Sequence, residues 1–375
     1  MRSRHGIRLA ALAAAIALLA VGCGTAHPSR KASRQPFCDS LCLIEPGDYG
    51  SANWRIPALL CLDDGTLLAA CDRRKYNETD LPEDIDVVVL RSGDLGRTWT
   101  APRTLIEGQG RGRGYGDPAL VQCPDGDVLC LFAGHNGYFQ SSDSLPIRVL
   151  MKRSTDRGRT WGDTVDLTRV LWDSASPYRG AFVASGNGLR LKHGPQAGRL
   201  LFAAAMLRRS AWVSDNYIIY SDDGGHSWLR SQMAFEGGDE AKLMELNNGQ
   251  VLLSVRRNGA RGWNLSPDGG EHWGQQGLWP EMTVNACNGD MLRLDDTTLI
   301  HSIPNSLRRE DVSLFVSHDE GRTWHSPRKL TPGPSVYSSL ALLPDGTVGC
   351  LVERNPKGEC QLWFYRFNKA WLGLR

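Results

Sequence analysis

Ser92-Gly93-Asp94-Leu95-Gly96-Arg97-Thr98-Trp99 is the stretch that decides how this chain folds. Its pattern, Ser-x-Asp-x-Gly-x-Thr-Trp, returns at Ser154, Ser221, Ser266 and Ser317, ending on Trp161, Trp228, Trp273 and Trp324. Ser227 replaces the Thr in the third copy and His272 in the fourth. The Asp-to-Asp spacings are 62, 67, 45 and 51 residues, suited to one small sheet per repeat. The physics of the pattern is local. The Asp carboxylate accepts from the backbone N–H groups that follow it and so fixes a turn. The Gly takes positive φ, and the Trp lays a large apolar face on a neighbouring sheet. One copy would be weak evidence of a fold; five are strong. These boxes are structural and carry no catalytic role.

Working outward, Asp64-Gly65, Asp125-Gly126, Asn248-Gly249 and Asp345-Gly346 each sit between apolar runs, as tight hairpin turns do. Asp295-Asp296 is a poorer signal of the same kind, and the mature length holds six such regions. Each repeat reads as two strands around a Gly turn, one strand entering the box and one leaving it. The expected fold is all-β: a six-bladed β-propeller of four-stranded antiparallel blades with Asp-box turns. No long helical periodicity and no later linker appears, so residues 45–375 read as one domain.

The N-terminus differs. Arg2, Arg4 and Arg8 precede an apolar stretch from Leu9 to Val21, then Gly22-Cys23. A basic segment, a short apolar core and a small residue make residues 1–23 a signal peptide, too short for a confident span. Leu19-Ala20-Val21-Gly22-Cys23 resembles a bacterial lipobox, which makes Cys23 a lipidation site and the protein an exported cell-envelope lipoprotein; the alternative is ordinary secretion. Residues 24–44 read as a tether. With 43 basic and 41 acidic residues, a net charge of +2 gives no reason to expect a nucleic-acid partner. The ten Cys form no zinc-type cluster. Export permits disulfides, with Cys350–Cys360 and Cys123–Cys130 as options and single buried thiols as the alternative.

Trp54-Arg55-Ile56-Pro57, taken with the boxes, resembles the aromatic-Arg-Ile-Pro motif of bacterial exo-α-sialidases of glycoside hydrolase family 33. The resemblance runs from about Pro46 to Trp371. It implies an arginine triad for the sialic acid carboxylate, a Tyr nucleophile, a Glu base and an Asp acid/base. Arg55 matches the first arginine. The segment from Glu240 to Leu246, followed by Leu252 to Arg256, matches the base at Glu240 and the second arginine at Arg256. Arg309 matches the third, with Arg308 as its competitor. Tyr337 matches the nucleophile and Glu353 the acid that holds the first arginine. Asp80 matches the acid/base, with Asp84 or Asp86 as alternatives. Arg74 and Asp117 match residues around the sugar's O4.

Spacing is a partly independent check. Arg55 and Arg74 stand equally far from the Asp64-Gly65 turn, and Glu240 and Arg256 are symmetric about Asn247–Gly249. Tyr337 and Glu353 are within one residue of symmetry about Asp345-Gly346. Such registers would set each pair side by side, within the residue or so that a bulge displaces. Two facing arginines repel unless an anion or a carboxylate joins them.

The resemblance therefore implies hydrolysis of terminal α-linked sialic acid from glycans with retention, no metal or organic cofactor, and sialylated glycoconjugates as partners. A monomer is expected, at the membrane if Cys23 is modified. A neutral Tyr avoids the repulsion an anionic nucleophile would meet from the sugar carboxylate, but with a pKa near 10 it needs a base. Two readings compete. One is a propeller that binds sialic acid without cleaving it, which would be expected to lack Tyr337, Glu240 or Asp80. The other is transfer or intramolecular release on the same site.

Overall fold

The computed structural model describes residues 35–284 and 286–374. Six small antiparallel sheets form a six-bladed propeller. Blade one holds Asn53–Cys61, Leu67–Arg74, Ile85–Ser92 and Arg103–Ile106; blade two holds Gly114–Gln122, Val128–His135, Ile147–Ser154 and Val165–Asp166. Blade three is built on Tyr178–Val183, Leu200–Arg208, Ser214–Ser221 and Leu229–Arg230. Blade four comprises Ala241–Glu245, Val251–Val255, Gly259–Ser266 and Gly277–Val284; blade five comprises Asp290–Asp295, Thr298–Pro304, Val312–Ser317 and His325–Lys329. Blade six joins Ser335–Leu342, Val348–Arg354 and Gln361–Phe367 to Cys38–Ile44. Two sheets exceed four strands: Gly186–Asn187 pairs parallel with the first strand of blade two, and Leu189–Arg190 pairs with Leu200–Leu201 in blade three.

Cys38–Ile44 corrects one expected boundary. The tether over 24–44 ends sooner, because these residues pair antiparallel with the last strand, Cys38 opposite Phe367. An N-terminal strand covers the edge that the C-terminal strand would leave open, and so closes the ring. Cys23 lies outside the described residues.

The core sits between blades. Leu67, Ala69 and Cys71 of blade one pack with Leu351 and Phe364 of blade six. Leu68, Ala70 and Val87 pack with Leu120, Val128 and Phe132 of blade two. A sheet covered on both faces needs apolar residues in succession, and Leu67 to Cys71 is such a run.

The boxes behave as their chemistry dictates. Thr98 N and Thr160 N donate to Asp94 Oδ1 and Asp156 Oδ1 at 2.9 and 2.8 Å. His272 fills the Thr position through Nδ1, 2.6 Å from Asp268 Oδ2. The box glycine also lies hard against the preceding blade. A Cβ on Gly96 would overlap the Phe364 ring, and one on Gly158 would come 2.8 Å from Leu68. Each box thus fixes a turn and spaces two blades.

All nine Cys among the described residues are free thiols. Cys350 faces Tyr365 and Cys130 faces Leu120, so neither suggested disulfide has its partner opposite.

Candidate active site

Three inner strands kink at the same level. In blade one the register shifts between Arg55 and Ala58, in blade two between Gly116 and Ala119, and in blade six between Ser335 and Ser338. Ile56 and Asp117, each followed by Pro, take φ of +59° and +57°. A β-branched residue avoids that region, so the surroundings must hold it there. A carboxylate of the preceding blade does so in both cases. Ile56 N donates to Glu353 Oε2 at 3.1 Å, and Asp117 N donates to Asp72 Oδ1 at 2.9 Å. The same carboxylates hold the arginines. Arg55 Nε lies 2.7 Å from Glu353 Oε1, and Arg74 Nη2 lies 2.9 Å from Asp72 Oδ2.

The bulge overturns one register. Arg55 faces Asp72 and Arg74 faces Asn53, so the two arginines are not opposite each other. Pro57 has no N–H for the ladder, and the extra residue displaces the count. Glu240 and Arg256 keep the anticipated pairing: Arg256 N donates to Glu240 O at 2.8 Å across an unbulged hairpin. Tyr337 sits with Val336 in the blade-six bulge, between the pairs Ser335–Arg354 and Ser338–Val352, so the strand opposite has Glu353 alone at that level, within the one residue that the spacing about Asp345-Gly346 allows.

These kinks gather the chemistry at one end of the propeller axis. Tyr337 is buried, and its hydroxyl donates to Glu240 Oε2 at 2.6 Å. Arg256 Nη1 donates to the same hydroxyl at 2.7 Å and also pairs with Glu240 Oε2. Burial pushes the Tyr337 pKa well above its usual value; Arg256 opposes this and Glu240 adds to it. The phenol is therefore neutral at neutral pH, with a carboxylate in line to take its proton. Arg309 lies with its guanidinium carbon 5.9 Å from the Tyr337 ring and donates to Ala286 O at 3.0 Å. Arg309 is half-buried, whereas Arg308 is exposed. Among the described residues no carboxylate pairs with Arg309, which leaves its charge available to an anion.

Asp80 occupies the loop between the second and third strands of blade one. Its side chain is 75% exposed and meets Arg74 Nη1 at 2.7 Å and Arg55 Nη1 at 3.5 Å. Desolvation pushes its pKa up, but Arg74 and then Arg55 outweigh this and hold it below the usual carboxylate range. The alternatives are tied elsewhere: Asp84 pairs with Lys75 at 3.0 Å, and buried Asp86 pairs with Arg73 and Lys75. Asp117 is raised well above the usual range by desolvation, then by Asp72 and Glu240. The site thus combines a neutral phenol with an adjacent carboxylate, an exposed acid between two arginines, and an arginine without a carboxylate.

The match to known proteins agrees with the propeller fold. Residues 65–350 match the BNR repeat-like domain. The chain belongs to the BNR repeat-like family. Among relatives of this BNR repeat-like chain, a sialidase of Micromonospora viridifaciens is 31% identical over 363 residues, covering 90% of this chain and 55% of that protein. A sialidase of Bacteroides fragilis strain YCH46 is 28% identical, covering 82% of this chain and 61% of that protein. The chain therefore spans somewhat more than half the length of these two relatives. Among solved structures, Hadza microbial sialidase Hz136 aligns with a TM-score of 0.78 at 26% identity, covering 87% of this chain and 68% of that one.

Two site residues of this BNR repeat-like chain escape a reading of its sequence. Asp72 holds Arg74 and shapes the Asp117 bulge; its signal is an acid inside the buried strand Leu67–Arg74. Asn288 is buried and donates to Glu240 Oε1 at 3.3 Å and to Ser185 Oγ at 3.2 Å. Nothing in the local sequence separates it from a turn residue.

Proposed function

We propose that this protein is an exo-α-sialidase, a glycoside hydrolase that releases terminal α-linked sialic acid from glycoconjugates with retention of configuration. The observation that carries the reading is the buried Tyr337 hydroxyl, 2.6 Å from Glu240 and 2.7 Å from Arg256. Arg55, Arg256 and Arg309 bind the sugar carboxylate, and Arg309 has a charge free for it. Fixing that group sets the anomeric carbon against Tyr337. As the Tyr337 oxygen bonds to the anomeric carbon, its proton passes to Glu240. The glycosidic bond breaks, and Asp80 gives its proton to the leaving oxygen. Asp80 then takes a proton from water, whose oxygen replaces Tyr337 at the anomeric carbon, and Glu240 returns the proton to the phenolate. Two attacks on the same carbon give net retention, and a Tyr nucleophile is a known departure from the two-carboxylate scheme. Arg74 and Asp117 contact the sugar ring near O4, and Glu353 holds Arg55.

The test is hydrolysis of a fluorogenic α-sialoside by the chain from residue 24 onward. Release of fluorophore, with α-sialic acid as the first product by NMR, is expected. Intact binding without cleavage of common sialosides would replace this reading with that of a sialic acid-binding propeller. A transferred or internally bridged sugar in the NMR spectrum would replace hydrolysis by transfer.

The same proposal includes export as a monomeric cell-envelope lipoprotein. It rests on the lipobox-like sequence ending in Cys23. Mass spectrometry of the mature N-terminus should find a lipid on Cys23, and Cys23→Ser should release the protein from the membrane fraction.

A further inference from the structure

The groove between blades one and two holds a cluster of arginines that the chemistry above does not use. It lies at the box end of the propeller. Ser92 of the first box pairs with Leu67, beside the Asp64-Gly65 turn, whereas Arg74 pairs with Ile85 at the other end of the same two strands. The boxes are therefore at the end away from the Tyr337 site. There Arg91, Arg103 and Arg159 line one cavity of about 350 Å³ with Thr100 and Gly158. Arg103 pairs with Val89, two residues before Arg91 on the third strand of blade one. Strand alternation sets Val89, Arg91 and Arg103 on one face, and Val89 packs with Leu120 and Val128 of blade two. Arg159 comes from the box of blade two and donates from Nη1 to Asp156 O at 3.1 Å.

The equivalent arginine of blade two is neutralised, and Arg91 is not. Arg153 precedes box residue Ser154 as Arg91 precedes Ser92. Arg153 Nη1 pairs with Asp127 at 2.9 Å, and its Nη2 donates to Gly224 O of the following box at 2.6 Å. Asp127 comes just before Val128, the partner of Ser154. In blade one that place, just before Leu67, is taken by Thr66. Arg91 therefore lacks the carboxylate, and its Nε is buried with no acceptor among the described residues. Two acids act on Arg91 from a distance, and both are engaged elsewhere. Asp64 pairs with Arg157 at 2.8 Å, and Asp156 Oδ1 accepts from Arg159 N and Thr160 N at 3.0 and 2.8 Å. Burial, and then Arg159, hold the Arg91 pKa below its usual value despite these acids. Three converging cations repel one another unless an anion joins them.

The donors select the anion. Arg91, Arg103 and Arg159 come from three separate segments and approach the cavity from different directions. Thr100 Oγ1 accepts from Arg91 N at 3.1 Å and keeps its own proton to donate. A tetrahedral oxyanion has an oxygen for each of these groups, whereas a flat carboxylate has only two oxygens. The chain also enters the propeller at this end: Cys38 pairs with Phe367, which pairs with Val348 beside the Asp345-Gly346 turn.

We infer that Arg91, Arg103 and Arg159 bind a phosphate group in this groove, either as free phosphate or on the headgroup of an anionic lipid. The inference does not depend on the sialidase reading. Calorimetric titration of sodium phosphate into the chain from residue 24 onward, at low ionic strength, should show saturable binding with a Kd below about 10 mM. Arg91→Gln and Arg103→Gln should each weaken it at least about 10-fold, as the loss of a charge-assisted bond does. Arg309→Ala, which removes an anion-binding charge beside Tyr337, should leave it unchanged. Arg103 is exposed, so its variant keeps the test independent of folding, and the urea midpoint of both groove variants checks this. Weaker binding by the wild type, binding that either groove variant retains, or binding that Arg309→Ala abolishes would overturn the inference. Flotation with phosphatidylglycerol and with phosphatidylcholine vesicles then separates the two sources. Retention on phosphatidylglycerol alone, lost in Arg91→Gln, assigns a lipid headgroup. Phosphate binding without such retention, or with retention that Arg91→Gln does not reduce, assigns free phosphate.

Discussion

The Tyr337 hydroxyl donates to Glu240 Oε2 at 2.6 Å across 97 residues of sequence. Tyr337 stands on the first strand of blade six, and Glu240 immediately precedes that of blade four. Blade five lies between them in the chain, so the contact exists because inner strands converge on the axis. Arg256 joins both atoms and offsets the negative charge that either would carry alone. A phenol so deeply buried is a poor nucleophile by itself, since burial raises its pKa. In the proposed reaction the neighbouring carboxylate takes the proton that such a phenol would otherwise keep.

Tyr337→Phe removes the attacking oxygen but leaves the Glu240–Arg256 pair in place. We expect kcat to fall by at least about 10³-fold, since loss of a covalent nucleophile costs that much or more. The unfolding midpoint should stay close to wild type. Activity above one-tenth of wild type in steady-state assays of folded protein would exclude Tyr337 as nucleophile.

Arg309 and Arg308 are adjacent but placed differently. Arg309 is half-buried near the Tyr337 ring, whereas Arg308 is exposed. Arg309→Ala should raise KM for an α-sialoside by about 10- to 100-fold, as expected when a charge-assisted bond to a carboxylate is lost. Arg308→Ala should change it less than about 2-fold. The reverse order in initial-rate measurements would exchange their roles.

What the sequence made legible was local. The boxes carry their own hydrogen bonds, so five copies declare the fold without reference to distant residues. Glu240 and Arg256 could be paired by counting because no bulge interrupts their hairpin. Arg55 and Arg74 could not, because Ile56-Pro57 adds a residue that the turn does not reveal. Cys38–Ile44 looked like tether because its partner, Gln361–Phe367, lies at the other end of the chain. Asp72 looked like one more charge; its function depends on Arg74 and on a strand of the next blade. Sequence could name Glu353 as the partner of Arg55, but not its bond to the Ile56 backbone, nor Asp72, which holds the corresponding bulge of the next blade.

Glu353 is such a positioning group. Its side chain is fully buried, bonded to Arg55 Nε at 2.7 Å and to Ile56 N at 3.1 Å. Glu353→Ala strands a largely buried guanidinium and frees the strained Ile56 backbone, which should cost about 3–5 kcal/mol of stability. Glu353→Gln, which can still accept one of the bonds, should recover part of the loss. Urea denaturation checks both. If the two variants unfolded at the wild-type midpoint, Glu353 would not be what holds the bulge.

In the proposed reaction Asp80 is the general acid, and its surroundings set the sign of the pH dependence. In the free protein, Arg74 at 2.7 Å and Arg55 at 3.5 Å hold its pKa below the usual carboxylate value, against the upward push of desolvation. A general acid must start protonated, so kcat/KM should fall as pH rises above that lowered pKa, by roughly tenfold per pH unit. Arg74→Gln removes the stronger of the two cationic influences, so the Asp80 pKa rises and the falling limb moves to higher pH. Asp72, already raised to about 6 by burial, loses its partner too and becomes still easier to protonate, which limits the new negative charge left beside Asp80. The comparison is Asp80→Asn, which should abolish the limb along with most of the activity on substrates with poor leaving groups. The measurement is kcat/KM against pH for wild type and both variants. A limb that stays in place in Arg74→Gln, or that survives in Asp80→Asn, would assign the proton transfer to another group.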